Sequence, residues 1–531
     1  MEVVQESEVA YLNPPSSKAD PSRKNEPIMI SPHLEENLEQ IRKLTAGSPD
    51  FIIRRFTVGM DDPCPAALVY LSSMVNLDTV NQLVLGSVMG WSERVRDADM
   101  DSAEQVFQQL QEHALTMGNI QIHRKWSQMM AGLLSGDTLI FLQGCNRIIS
   151  CNTPGGPERS ISEPTTQSNI RGPKEGFVES LFTNVALLRR RIKNSDLTLE
   201  MFEVGNYTGT NVAMMYMKNI AEEEVVNEVR SRIHGIRTDA ILDSGMVEDF
   251  IQDKTFTPFP TVYNSERPDT AAGNLMEGRI ILLVDGSPFV LIMPIVFAQF
   301  FQSASDYAER YDSATLLRIL RYICFIILML GPSLYIAFTT YHYEMIPTPL
   351  LISILAQRET VPFPAIVEAF ILEFTMEVLR EAGVRMPRVV GQTVSVVGAL
   401  VLGQAAVEAG VVTALLTIVV AITGIASFAI PSYNMATAGR LCRFVFMVLA
   451  ALFGLYGVTL GLIVLAAHLC SLQSFGVPYM APFSPFRLKS NKDTVLRLPA
   501  WMMRTRPAMF SNKNNRRMPE ESGGKSPIKG E

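Results

Sequence analysis

Apolar positions follow two regimes along the chain. Up to about residue 279, charged residues recur every few positions and interrupt each apolar run. From Tyr322 onward the runs reach about 20 residues, the length of a bilayer-crossing helix. The first regime mixes two periods. Residues 35–44 carry helical spacing, with Leu34, Leu38 and Ile41 on one face. Residues 51–58 and 66–71 read as strands, 75–89 as a helix and 93–115 as a polar helix. Residues 137–143 and 146–151 read as a hairpin around Gly144-Cys145. Further on, 174–192 reads as a helix ending in Arg189-Arg190-Arg191, and 197–204 and 211–217 as strands. The helix at 222–233 begins acidic and ends basic, which suits the helix dipole. Strands mixed with helices predict an α/β soluble part.

Punctuation divides this part. Residues 1–30, rich in Pro, Ser and charge, are expected to be a disordered lead-in. A first α/β subdomain is expected at 31–152 and a second at 174–303. Between them, 153–173 (TPGGPERSISEPTTQSNIRGP) reads as a linker. Residues 280–293 (IILLVDGSPFVLIM) have nearly the apolarity of a span. Asp285-Gly286 at their centre favours a buried hairpin. Residues 294–303 then resemble an amphipathic helix leading toward a membrane surface.

The second regime, 304–486, predicts an all-α, multi-span membrane domain. Candidate spans are 321–340, 389–407, 411–430 and 444–469. Pro332 inside the first is tolerable where neighbouring helices satisfy the freed carbonyl. Arg310, Arg318 and Arg321 ahead of the first span, the group Arg380, Arg385 and Arg388, and a basic tail place both termini in the cytoplasm. That requires an even number of crossings, at least four. Residues 487–531 are expected to be a basic, disordered cytoplasmic tail. The polar opening has no apolar core of a signal peptide, which keeps the soluble part on the cytoplasmic side.

Residues 364–381 form the informative segment. They read as an apolar helix that nonetheless carries Glu368, Glu373, Glu377 and Glu381. At about 100° per residue the last three fall within roughly 80° of one another, and Glu368 lies off that stripe. Two accounts stay open. The helix lies at the interface with its acidic stripe in water, or it enters the bilayer and lines a hydrated path. Small residues recur at Ser395, Ala399 and Gly403, and again at Gly457 and Gly461. Such stripes let helices pack closely, within the chain or between copies.

Composition excludes more than it suggests. Hydrophobic content is 47% and net charge -7, both set by averaging unlike halves. The six cysteines lack metal-ligand spacing and read as small buried thiols. No phosphate-binding GxxxxGK[ST], HExxH or nucleophile elbow is present, and the six histidines are dispersed. No enzyme, cofactor, metal or nucleic-acid partner is expected.

Several segments carry a family likeness: ISPHLEENLEQIRKL with SPDFIIRRF; NIRGPKEGFVESLFTNVALLRRRI from Asn169; GRIILLVDGSPFVLIMP from Gly278; LRILRYICFIILMLGPSLYIAFTTYHYEMIP from Leu317; and EVLREAGVRMPRVVGQTVSVVGALVLGQAAVEAGVV from Glu377. In order and spacing, over 31–485, they resemble the GerA family of spore germination proteins, specifically the A-type subunit of nutrient germinant receptors. The resemblance implies a multi-pass protein of the bacterial endospore inner membrane. It implies a complex with a transporter-like B-type subunit and a C-type lipoprotein, with nutrient reached through a partner subunit. It further implies a homo-oligomer that conducts cations. Glu368, Glu373, Glu377, Gln392 and Ser395 then become candidate pore or gating residues, and Ala399, Gly403, Gly457 and Gly461 candidate helix-packing residues. Two alternatives remain: a non-conducting scaffold, and a related branch of the SpoVA operon that acts in ion release.

Overall fold

The computed structural model describes residues 29–59, 64–94, 102–117, 119–155, 164, 167, 171–385, 403–486, 493–507, 509–510 and 513–518. Of the candidate residues, Gln392, Ser395 and Ala399 lie outside these. The chain forms two compact units. One comprises Met1–Ile41, Ile52–Leu71 and Val75–Pro154; the other comprises Arg42–Phe51, Ser72–Met74 and Gly155–Glu531.

The first unit holds a five-stranded sheet of β1 (Phe51–Val58), β2 (Cys64–Leu71), β3 (Ile120–His123), β4 (Asp137–Leu142) and β5 (Ile148–Asn152), in the order β1-β2-β4-β5-β3. The expected hairpin is β4–β5, paired antiparallel from Asp137↔Asn152 to Ile140↔Ile149. Gly144 in its turn has φ 88°, a conformation that favours glycine. β3 was not foreseen. It is four residues long and mostly exposed at the sheet edge, too short to display a period. Cys145 and Cys151 are buried, and burial pushes their thiols up to about 11 and about 12. At neutral pH both stay protonated and behave as small hydrophobes.

The second unit builds another antiparallel sheet from β6 (Leu197–Val204), β7 (Thr210–Met217), β8 (Tyr263–Ser265), β9 (Ile280–Val284) and β10 (Val290–Met293), in the order β6-β7-β9-β10-β8. The 280–293 segment is therefore a β-hairpin, with Ile281 opposite Ile292 and Leu282 opposite Leu291. Its span-like apolarity has a plain cause: both faces of the sheet are covered. Ile281 and Leu283 join a core with Leu181, Leu188, Leu275 and Phe300. Ile280, Leu282 and Val284 join the opposite core with Val229, Ile233, Val247 and Ile251. Alternate residues thus enter two different cores, and no position is left for polarity.

Helices α1 (Leu181–Arg191), α2 (Glu223–Gly235), α3 (Ser244–Ile251) and α4 (Pro268–Leu275) supply those covers. α1 begins at Leu181, later than the expected 174. Residues 174–180 are held non-helical because Asn184 takes both backbone groups of Val178, through Oδ1 at 2.8 Å and Nδ2 at 2.6 Å. Asp285 in the hairpin turn accepts from the Leu181 N–H at 3.1 Å. The turn carboxylate therefore sits at the positive end of α1. Arg189, read in the sequence as part of a basic run, is instead buried against Asp50 at 2.9 Å.

The 294–303 segment differs from the amphipathic helix expected of it. Phe297–Phe301 is a 3-10 turn in which Phe297, Phe300 and Phe301 are all buried. Phe301 stacks on Tyr322 at 4.4 Å between centroids, and Phe325 and Tyr479 close around the group. This aromatic group is where the sheet meets the helices that follow.

Those helices are α5 (Tyr311–Thr340), α6 (Thr348–Arg358), α7 (Ala365–Arg385), α8 (Ala414–Phe428) and α9 (Tyr433–Ser471). α5 and α9 are long and apolar enough to cross a membrane. α9, however, is not straight. Its 39 residues would span about 58 Å, nearly twice a ~30 Å hydrocarbon core. The chain reverses at Gly454 (φ 62°, ψ −142°). A Cβ there would lie 2.8 Å from His342 Cε1 and 3.0 Å from Tyr341 Cβ, so only glycine fits. The second arm folds back on the first. A Cβ on Gly461 would stand 2.8 Å from both Phe446 Cε1 and Leu449 Cδ1, atoms that a straight helix would place about 20 Å away. The sequence treated 444–469 as one long span; it is two arms of a helical hairpin.

Contacts give the helix directions. Phe325 and Leu328 lie against Gly439, and Tyr341 Oη donates to Ala451 O at 2.8 Å, so α5 and the first arm run the same way. Gly331 meets Thr423 and Tyr335 meets Thr413, so α8 runs opposite to α5. Glu368, Glu373 and Arg380 meet Thr413, Thr423 and Ser427 in turn, so α7 runs parallel to α8. The near end of this block is seated on the sheet, where Phe325, Ile430, Met435 and Leu469 share one core with Phe297 and Ile292.

The near end is also tied to the chain's last segment. Arg318, fully buried, reaches Asp306 at 3.0 Å and Asp493 at 2.8 Å, and Arg321 reaches Asp306 at 2.8 Å. Arg497 donates to the carbonyls of Glu309 and Tyr307. Arg318 and Arg321 therefore serve a buried latch, while Arg310 alone of the three remains exposed. The described part of the tail also differs from the disordered tail expected: Thr494, Arg497 and Phe510 are buried, with Phe510 under the Arg279 guanidinium.

Two predictions follow from the packing. In a chain whose six native cysteines are replaced by alanine, Phe446→Cys with Gly461→Cys should cross-link on mild oxidation. A folded chain that never cross-links would mean a straight α9. Glu248 on α3 is half-buried, and burial, then Asp249, raises its carboxyl to about 7. Its unfolded value is about 4.3. The folded state thus binds more protons between those two values, and stability falls as pH rises from about 4.3 through 7. Glu248→Gln should raise the apparent melting midpoint at pH 8 and leave it unchanged at pH 4. Equal midpoint shifts at both pH values would remove Glu248 as the cause.

Candidate functional site

The polar side chains inside the helical block converge on one place. α7 brings Glu373, Glu377 and Arg380 there; α8 brings Thr423 and Ser427; the first arm of α9 brings Arg440 and Arg443. Glu373 and Glu377 are four apart and Arg440 and Arg443 three apart, spacings that each put a pair on one helix face. Arg443 forks between the two carboxylates, with Nη1 2.7 Å from Glu373 Oε2 and Nη2 3.2 Å from Glu377 Oε1. Glu377 also takes Arg380 at 2.9 Å and Arg440 at 3.5 Å. Thr423 Oγ1 donates to Glu373 Oε1 at 3.4 Å, and Arg380 donates to Ser427 Oγ at 3.2 Å.

Glu373 and Arg443 are almost wholly buried, at 0% and 1% exposure. Such a pair exists only because each charge neutralises the other in a medium that solvates neither. Two carboxylates here face three guanidiniums, so the named cluster carries one excess positive charge.

Glu368, also fully buried, does something else. Its Oε2 accepts from the Thr413 N–H at 3.2 Å, directly ahead of α8. It is a capping carboxylate at a helix N-terminus, supplied from a neighbouring helix. Tyr335 and Thr413 hydroxyls pair beside it at 3.0 Å. Glu381 is exposed and pairs with Arg385 at 2.6 Å. The four glutamates of α7 therefore split into one cap, two members of the cluster and one surface pair. Gly403 faces Thr417 on α8, and Gly457 and Gly461 face the first arm of α9.

Sequence reasoning missed Arg440 and Arg443. The apolar run was started at Phe444, which left both arginines outside it. Their spacing on one helix face, matched to Glu373 and Glu377 on another, was the available signal. Among the described residues, no group of His, Cys, Asp and Glu is arranged to hold a metal ion.

The site thus lies in a block of helices, two of them long and apolar enough to cross a membrane, joined to an α/β sheet part. The chain belongs to the family described as Bacillus/Clostridium GerA spore germination protein, which it matches over residues 39–509. Spore germination protein KA of Bacillus subtilis (strain 168) is 47% identical over 491 residues, covering 92% of this chain and 89% of the relative. Uncharacterized membrane protein YfkQ of the same organism is 42% identical, covering 93% and 94%. Spore germination protein GerLA of Bacillus cereus is 36% identical, covering 93% and 99%. One solved structure, the N-terminal domain of the A subunit of the Bacillus megaterium spore germinant receptor GerK3, is 38% identical; it covers 51% of this chain and 99% of its own, with a TM-score of 0.40. The family read from the sequence motifs is thus the family found.

Removing one member of the buried pair should cost about 3–5 kcal/mol. Glu373→Met or Arg443→Met alone should therefore lower thermal stability in detergent steeply. The double replacement should recover much of that loss. A double variant as unstable as the sum of the singles would show that the two side chains are not partners.

Proposed function

We propose that the chain is the A-type membrane subunit of a spore nutrient germinant receptor, and that it converts nutrient binding into ion release. The single observation that carries this reading is the buried Glu373–Arg443–Glu377 cluster among apolar helices. Ionisable groups are costly in a bilayer and are kept there for function. Family membership supplies the context.

In this reading five described helical segments cross the inner membrane of the endospore: α5, α7, α8 and the two arms of α9. α7 and α8 run the same way, opposite to α5. The subunit works with a transporter-like B-type subunit and a C-type lipoprotein, and the nutrient reaches it through a partner. Copies of the chain surround a cation path, and the cluster is its lock. While Arg443 holds both carboxylates, a cation finds a net positive site. Separating the pairs frees Glu373 and Glu377 to face the path. That is a two-arrangement element of the kind a ligand-gated channel requires. Gln392 and Ser395, outside the described residues, stay with this path as candidates from the sequence.

The pairing of both carboxylates also favours a second reading, in which the chain is a non-conducting scaffold and ions pass elsewhere. Reconstitution with the B- and C-type subunits in liposomes separates the two. Nutrient should trigger release of monovalent cations. Glu373→Gln with Glu377→Gln should alter that flux or its selectivity while assembly stays intact. Unchanged flux removes these residues from the path, and no flux from the complete assembly favours the scaffold.

A further inference from the structure

Exposed apolar side chains are ordinary on a lipid-facing helix and costly on a sheet domain in water. The sheet domain carries a group of them. Met246 and Phe250, four apart along α3, are 37% and 49% exposed; Leu242 just ahead of the helix is 72% exposed and Phe256 just beyond it 100% exposed. The opposite side of α3, Val247 and Ile251, packs into the sheet core.

The place of Phe256 is fixed by its neighbours. Thr257 Oγ1 is 2.9 Å from His468 Nε2, and Lys254 Nζ is 3.4 Å from Ser471 Oγ. Asp253 Oδ2 accepts from the Phe475 N–H at 2.7 Å. Residues 253–257 therefore run beside the last turn of α9's second arm. The outward side of that arm is apolar and open, with Ile463 and Val464 at 66% and 61% exposure. Phe256 thus stands exposed beside the end of α9's apolar run, with Lys254 two residues away.

We propose that Phe256 is a membrane-interface anchor: it inserts between lipid headgroups of the bilayer that α9 crosses, with the Lys254 ammonium at the phosphate level. The occupant is a lipid surface because the fully exposed Phe256 stands beside the last turn of α9, whose open side is apolar, and a cation, Lys254, lies two residues away. Apolar rings dip about 5–10 Å into the headgroup and acyl boundary, and cations favour anionic headgroups there. The anchor holds the sheet domain against the membrane at a second point besides the aromatic core. This inference rests on the membrane-crossing reading of α9, so the test carries a separate arm for that reading.

The full chain is reconstituted in vesicles of phosphatidylglycerol and phosphatidylcholine whose acyl chains are brominated near the headgroup. Phe256→Trp and, separately, Val464→Trp are compared with the parent, which contains Trp91, Trp126 and Trp501. Both added emissions should be blue-shifted and lose most of their intensity to the bromines. Quenching of Val464→Trp with an unquenched, water-like Phe256→Trp overturns the anchor and leaves the membrane reading standing. A blue-shifted but unquenched Phe256→Trp also overturns it, because a protein surface would then cover the ring. Failure of both to quench overturns the membrane reading of α9 and the anchor together.

Discussion

Phe301 lying flat on Tyr322 is the contact on which the rest of this half of the chain depends. Around it, Phe297, Phe300, Phe325 and Tyr479 form one aromatic core that belongs to the sheet and the helices equally. Aromatic rings bury large areas and favour tilted and offset contacts, so such a core fixes orientation as well as proximity. The beginning of α5, the end of α8 and both ends of α9 all converge on it. A change of tilt in any of these helices must be absorbed there, against the rigid antiparallel sheet.

The β4–β5 hairpin, β6, β7 and α2 stand close to where the sequence pattern placed them, because turn residues or helix-end charges bound each one. The DGSP turn was read correctly for a local reason, since Asp-Gly between apolar runs has few other solutions. What the pattern did not give was tertiary in origin. Residues 174–180 have helical composition, but Asn184 holds the backbone of Val178 outside the helix. Residues 297–301 have a helix-like face, but are apolar on every side because two cores close over them. The reversal at Gly454 is nearly invisible in a run where every neighbour is apolar. Only the length of α9 and the glycines on its two arms hint at it.

The candidate site was half legible for a related reason. A carboxylate in an apolar helix stands out, so Glu373 and Glu377 of the cluster, and the cap Glu368, were singled out. Their partners lay just outside another apolar run and were not singled out. Sequence shows that a charge is present; it does not show which counter-charge a fold delivers to it. Arg318 and Arg321 teach the same lesson, since the residues that looked like topological markers are buried ligands of Asp306 and Asp493. The glutamates differ in what they do because α7 faces a helix start at Glu368, two arginines at Glu373 and Glu377, and solvent at Glu381.

The reversal at Gly454 has an effect beyond packing. Because α9 comes back to the side it left, the chain reaches Asp493 and Arg497 beside the foot of α5, and the buried Arg318 there grips the returning strand. Everything between those two points is one closed loop, fastened at its own base like a clasped ring. Helices fastened in this way have no free end at their foot through which a change of tilt could be relieved. Motion imposed on one helix is then passed around the circuit, because the loose end that would otherwise relieve it has been tied down.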